Sequence, residues 1–208
     1  DAKKYIPTQS QTFSKAPKQM VLGPMPKFLD KAKGAYTWDV DGNKFLDYIL
    51  GLCPIILGHN HPATNNAVKE QLEKGVAFSL PHELEVAVSK KLVEIIPSAE
   101  MVRFGKNGSD ATSAAIRLAR YVTKKEKIAK SGYHGWHDWY VCTTSRDGGI
   151  PKATKEYTKP FNYNDLESLQ KIFDENPGEI ACVIMEPMGV TPPKDNFLEK
   201  VKELTHKN

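Results

Sequence analysis

Cysteine is scarce in this chain of 208 residues: only Cys53, Cys142 and Cys182, at spacings that match neither a metal site nor a disulfide framework. Cys182 lies inside the apolar run Ile180-Ala181-Cys182-Val183-Ile184-Met185, and a reducing compartment, the cytoplasm, is the simplest expectation. No apolar run approaches the roughly 20 residues that span a bilayer. The opening Asp1-Ala2-Lys3-Lys4-Tyr5 carries no apolar signal-peptide core, so no membrane association is expected. Arginine is rare beside lysine, and the net charge of +4 is scattered rather than striped. With no nucleic-acid motif either, nucleic acid is not an expected partner. No G-x-G-x-x-G follows a strand-like run, which disfavours a nicotinamide-dinucleotide enzyme. Internal repeats and low-complexity segments are also missing.

What is present is ordinary for a folded domain: 40% hydrophobic and 26% charged residues. The length suits one large domain, alone or with a smaller unit. Residues 1 to about 33 are polar and broken by Pro7, Pro17, Pro24 and Pro26. They read as an extended arm whose apolar residues (Phe13, Met20, Val21, Leu22) lie on something else, with a partner subunit as one candidate. Residues 35–40 and 44–49 alternate in polarity around Asp41-Gly42-Asn43, a strong hairpin signal.

Pro62 opens a helix that Gly75 ends, and Pro81 opens another carrying Leu84, Val88, Leu92 and Ile95. From Met101 strands and helices alternate. Short strands are expected at Val102–Phe104 and Lys127–Lys130, and a longer one at Ile180–Met185. Helices are expected at Ser109–Val122, Leu166–Phe173 and from Phe197 onward. In the first of these, Ala111, Ala114, Ala115, Leu118, Ala119 and Val122 form the apolar stripe expected to pack on the sheet. Such alternation predicts an α/β fold with a parallel-rich central sheet flanked by helices. Ending on a helix with no following strand, the chain reads as truncated within that domain.

Three short segments carry the chemistry. Asn107-Gly108-Ser109 lies between a strand and a helix, where unpaired N–H groups and the helix dipole favour a phosphate. By itself, Asn-Gly is equally a turn and Ser109 an N-cap. Gly132-Tyr133-His134-Gly135 follows the next strand, at the end of a parallel sheet where ligand crevices form. Tyr133 there can stack on a flat cofactor or serve as a core ring. Glu186-Pro187 ends the strongest strand, its carboxylate placed either for a ligand or for a turn. His134 and His137 lack the cysteine or carboxylate company a metal would need, and no metal is expected. His59 and His61 read as turn and capping residues.

These segments resemble the class III PLP-dependent aminotransferases of fold type I, in particular those like glutamate-1-semialdehyde aminomutase and related sugar-locus aminotransferases. The matching residues run in order along the chain: 34–43, 56–62, Glu83-Leu84-Glu85, Val102-Arg103-Phe104, 116–120, Tyr133-His134-Gly135, Tyr163-Asn164-Asp165 and Glu186-Pro187. The resemblance implies that Asn107, Gly108 and Ser109 hold the phosphate of pyridoxal 5'-phosphate (PLP). It places Tyr133 against the pyridine ring, with His134 beside it and Glu186 near the cofactor. It implies amino-group transfer between a small-molecule donor and a carbonyl acceptor by a homodimer. Residues 1–55 would be the arm and hairpin of a small domain, and residues 56–208 an incomplete large PLP-binding domain.

The chain also departs from the aminomutase pattern. Asn107-Gly108-Ser109-Asp110 stands for Ser-Gly-Thr-Glu, Gly51-Leu52-Cys53 for Ser-Trp-Gly, and Thr191 for an asparagine. In the family, the aspartate that pairs with the pyridinium nitrogen and the Schiff-base lysine follow the last helix. No catalytic residue is therefore expected among these 208. The alternative expectation is a non-catalytic module that binds PLP or a phosphate.

Overall fold

The computed structural model describes residues 1–21 and 23–208; Leu22, one of the apolar residues of the expected arm, lies outside them. The chain forms two compact units, Asp1–Val88 and Ser89–Asn208. The division expected at 55/56 concerns a larger two-domain fold and stays a proposal.

In the first unit the arm is a short helix, α1 (Ala2–Tyr5), followed by three single-turn 3-10 segments. The prolines explain this choppiness, since Pro7 and Pro17 each start a turn and no proline can continue one. The expected hairpin is present as β2 (Tyr36–Asp39) and β3 (Lys44–Leu46), in register Tyr36 with Leu46. Its turn is held by Asp39, whose carboxylate accepts the N–H groups of Asp41 and Asn43 at 3.0 and 2.8 Å. A third strand, β1 (Leu29–Lys33), pairs antiparallel with β2 and turns the hairpin into a three-stranded sheet. Sequence pattern missed it because Leu29-Asp30-Lys31-Ala32-Lys33 is too polar to read as a strand.

His59 proves more than a turn residue. Its backbone bridges Gly34, and its Nε2 meets the Asp47 carboxylate at 2.7 Å. Burial pushes the Asp47 carboxyl up, but hydrogen bonds from His59, Ile49 and Leu50 overcome this and hold it below the usual value. Helix α2 (Pro62–Lys74) begins on its proline and stops at Gly75, whose φ of 101° takes the chain out of the helix. Helix α3 (Glu83–Ile95) begins two residues after Pro81 and runs across the division between the units.

The second unit is the α/β part. Helix α4 (Gly108–Thr123) leads to β4 (Lys127–Ser131), a short helix α5 (Asp138–Val141), β5 (Thr158–Pro160), α6 (Leu166–Glu175), β6 (Ile180–Met185) and α7 (Phe197–Lys207). The sheet order is β5-β4-β6, parallel throughout, as the alternation predicted. Ala129 of β4 joins Leu169, Ile172 and Phe173 of α6 and Phe197 and Val201 of α7 in one apolar core. Asp165 starts α6 by accepting the Ser168 N–H at 3.0 Å.

Two expectations need correction. Val102–Phe104 is not a strand, because no neighbouring segment among the described residues supplies it with a ladder of hydrogen bonds. And α4 does not turn its alanine-rich stripe inward. Ala111, Ala114, Ala115, Leu118 and Val122 are exposed, while Ser109 and Ile116 are buried. Apolar periodicity located the helix but not its inner face, because the other side carries Ser109, Thr112 and Ser113, whose hydroxyls bond the loop after β4.

Candidate cofactor site

Helix α4 begins with Asn107, whose side-chain oxygen accepts the Asp110 N–H at 3.0 Å. Asp110 answers by accepting the Lys106 N–H at 3.1 Å. The first helical N–H···O=C bond is made by Ala111 to Asn107. The N–H groups of Gly108 and Ser109 precede it and point out of the helix end. A side chain at Gly108 would meet nothing within 4 Å, so the space before this helix end is open. Open space, free N–H groups and the positive end of a 16-residue helix make an anion cradle.

The loop after β4 is bound to the same helix by hydroxyl groups. Ser109 Oγ accepts the Trp136 N–H at 3.2 Å, and Thr112 Oγ1 donates to the His134 carbonyl at 2.9 Å. Ser113 Oγ lies 2.6 Å from His137 Nδ1 and accepts the Trp139 Nε1–H at 2.9 Å. Residues 109, 112 and 113 share one helix face by their i, i+3, i+4 spacing. Gly135 permits the contact: with φ at 110°, any Cβ there would overlap Ser109 Oγ. Ser109 is therefore buried and anchors the loop, rather than standing free to face a ligand.

Tyr133 is exposed, with Tyr140 edge-on at 5.4 Å between ring centroids. Its N–H donates to Glu186 Oε2 at 3.0 Å. This fixes the backbone that carries the ring, and it ties the ends of β4 and β6 together. Gly132 makes room for it, since a Cβ there would run into the Glu186 carboxylate.

His134 sits beneath this loop, buried. Its Nε2 lies 2.8 Å from the Ser131 carbonyl, which can only accept, so Nε2 carries the proton. Trp139 stacks on the ring at 5.9 Å and Tyr140 meets it edge-on at 5.7 Å. Burial holds the imidazole below the ordinary histidine value; the bond to the Ser131 carbonyl opposes this, Lys130 lowers it further, and Glu186 has the smallest, raising effect. Lys130 lies over the Tyr140 ring at 5.0 Å, and burial lowers its own ammonium pKa as well. Burial in turn raises the Tyr140 phenol, with Tyr133 and Glu186 adding to the effect.

A shallow cleft of about 180 Å³ opens at the C-terminal ends of β4 and β6, lined by Ser131, Gly132, Tyr163, Glu186, Val190 and Thr191. Tyr163 closes one wall by donating its hydroxyl to the Pro187 carbonyl at 2.6 Å. This is the end of a parallel sheet where ligand crevices form. Among the described residues, no group of three or more histidine, cysteine, aspartate or glutamate side chains is arranged to hold a metal ion, and no helix is long and apolar enough to cross a membrane.

Residues 19–208 match the family described as aminotransferase class-III. The chain belongs to that family. Glutamate-1-semialdehyde 2,1-aminomutase of Methanocaldococcus jannaschii is 42% identical over 223 aligned positions, which cover 95% of this chain and 52% of that protein. 3-Aminobutyryl-CoA aminotransferase of Cloacimonas acidaminovorans is 44% identical over 197 positions, covering 91% and 47%. Among solved structures, the PLP internal aldimine form of the FumI protein of Sphingopyxis sp. MTA144 superposes with a TM-score of 0.87 at 28% identity, covering 97% of this chain and 50% of that one. The chain spans about half the length of the curated relatives it matches. The PLP-dependent transferase fold expected from the sequence is the fold of these neighbours.

In this class-III chain all six residues picked from the sequence fall in the second unit. Asn107 and Gly108 form the open cradle, Ser109 the anchor, Tyr133 the exposed ring and Glu186 its backbone clamp, while His134 is enclosed under the loop. Pattern reading missed Thr112, Ser113 and Trp139. The hydroxyl spacing 109, 112, 113 was the available signal, hidden because serine and threonine in a helix ordinarily mean little.

Proposed function

We propose that the second unit holds PLP, with the phosphate at the α4 cradle of Asn107, Gly108 and Ser109 and the pyridine ring against Tyr133. The single observation that carries this is the hydrogen-bonded junction of the two elements. The loop bearing the exposed Tyr133 ring is sewn to the first turn of helix α4 by Ser109 and Thr112. A flat phosphate ester needs these two features side by side, and the class-III match supports the assignment. PLP, when bound, supplies an electron sink for bonds at an amino-bearing carbon. The chain's own residues hold and orient it. N–H groups of Gly108 and Ser109 meet the phosphate charge, and Glu186 keeps Tyr133 in place through its N–H. His134, neutral and enclosed, stiffens the loop from below. None of these residues is assigned the Schiff-base role.

The whole protein, on this reading, moves an amino group between a small-molecule amino donor and a carbonyl acceptor, as an aminotransferase or in the manner of an aminomutase. Support comes from the names of the two relatives, one of each kind. A homodimer, with the N-terminal arm lying on the second copy, is part of the same proposal. So is a reducing cytoplasm, which suits the exposed thiol of Cys53.

The test is PLP titration of the full chain, followed by borohydride reduction and intact mass. The expected result is saturable binding that is clearly weaker in Asn107→Ala, with a mass increase of one reduced PLP only in a longer chain that carries the Schiff-base lysine. Binding without an adduct in that longer chain would instead favour the non-catalytic module. Absence of binding would refute the assignment.

A further inference from the structure

Beyond the groups that face the cofactor, we infer that Ser113 and His137 are positioning residues which set the spacing between the phosphate cradle and the Tyr133 ring. The inference rests on the PLP reading of that cradle and that ring.

Trp139 Nε1–H can only donate, so at 2.9 Å Ser113 Oγ accepts from it. The hydroxyl's own hydrogen is then directed at His137 Nδ1, 2.6 Å away. With a proton on Nε2, His137 leaves Nδ1 to accept that hydrogen. That Nε2 faces Asp110 Oδ1 at 3.9 Å. Asp110 belongs to the first turn of α4 and is itself held by Asn107. The hydrogen-bonded chain thus runs from Trp139 in α5 through Ser113 in α4 to His137, whose ring lies beside the first turn of α4.

The loop needs such an external brace. Gly132 and Gly135 stand at φ of 84° and 110° on either side of Tyr133 and His134, in backbone conformations that glycine adopts without side-chain preference. Local backbone preference therefore does not decide where the Tyr133 ring lies. Glu186 fixes the start of the loop, Thr112 and Ser109 hold His134 and Trp136, and the Ser113–His137 bond fixes its end. A ligand that bridges two elements binds with an affinity set by each half-site and by how well their separation is held. Loosening the brace should weaken the bridging ligand and leave each half-site unchanged. A general loss of folding would weaken all three.

The experiment measures dissociation constants of the full chain for three probes: pyridoxine 5'-phosphate, inorganic phosphate and pyridoxine. None of them has an aldehyde, so no covalent step contributes. In Ser113→Ala and His137→Leu, the expected loss is about tenfold for pyridoxine 5'-phosphate, with phosphate and pyridoxine within about twofold of the wild type. His137→Asn, whose side-chain oxygen can accept the Ser113 hydrogen, should recover most of the loss. Trp139→Phe removes only the outer donor and should give a smaller loss of the same pattern; it serves as well if Ser113→Ala does not fold. Equal weakening of all three probes, or no weakening of any, overturns the positioning role while the PLP reading stands. A wild-type chain that binds none of the probes overturns both.

Discussion

Ala129 and Lys130 are neighbours in β4 and point to opposite faces of one sheet, and their surroundings differ in kind. On the Ala129 face, Leu169, Phe173, Phe197 and Val201 meet carbon to carbon, with Leu169 at 0% exposure. On the Lys130 face lie Tyr140 and the loop over His134, joined to α4 by hydroxyls, an imidazole and an indole N–H. Hydrocarbon packing stabilises without fixing direction, because the hydrophobic effect follows buried area. Hydrogen bonds add less net stability but prescribe distance and angle. The face proposed to hold the cofactor is the one built from directed bonds.

The largest test of this contrast is Leu169→Ala. It should cost about 2–5 kcal/mol of stability, seen as a lower melting temperature, and should leave probe affinities of the surviving folded protein unchanged. Gly135→Ala attacks the other face. The strained φ and the overlap with Ser109 Oγ should cost about 1–3 kcal/mol, and here PLP affinity should fall with stability. If both variants altered stability and affinity in the same proportion, the two faces would not differ in role.

A gentler probe is acid. His134 has its pKa lowered by the fold, so the unfolded chain binds the proton more readily. The stability contributed by the neutral ring is fully present above the ordinary histidine value and is lost as pH falls below it toward the folded value. Denaturant midpoints measured from neutral pH downward should show this loss in the wild type and a flatter profile in His134→Gln. Smallest of all, Leu118→Ala on the outward stripe of α4 should change the stability of residues 1–208 by less than about 0.5 kcal/mol. A loss comparable with that of Leu169→Ala would mean that this stripe is covered.

Particular residues show how far sequence reading carried. Pro62 and Gly75 bounded α2 to the residue, and Asp41-Gly42 located the hairpin, because these signals act over a few bonds of backbone. The run Ile180–Met185 gave β6 unaided. Val102–Phe104 failed because a strand is a relation between two segments, and its composition says nothing about whether the second is there. The inner face of α4 failed because alanine is indifferent to burial, while Ser109, Thr112 and Ser113 had partners 22 to 27 residues away. His134 was singled out by its position in Gly132-Tyr133-His134-Gly135, yet only the fold put Trp139 and Tyr140 around it.

By itself, then, the sequence determined most of the helices, the hairpin and the strands β4 and β6, the parallel α/β class and the family, and it marked the turn at Asn107-Gly108-Ser109 that we propose for a phosphate. Each of these is written in local periodicity or in a short contiguous motif. Tertiary structure alone decided that Ser109 anchors a loop, that Glu186 clamps the backbone of Tyr133, and that Ser113 and His137 brace the two halves of the site. Those roles depend on bonds of about 3 Å between residues far apart in the chain, and such distances exist only after the sheet has brought the ends of its strands together.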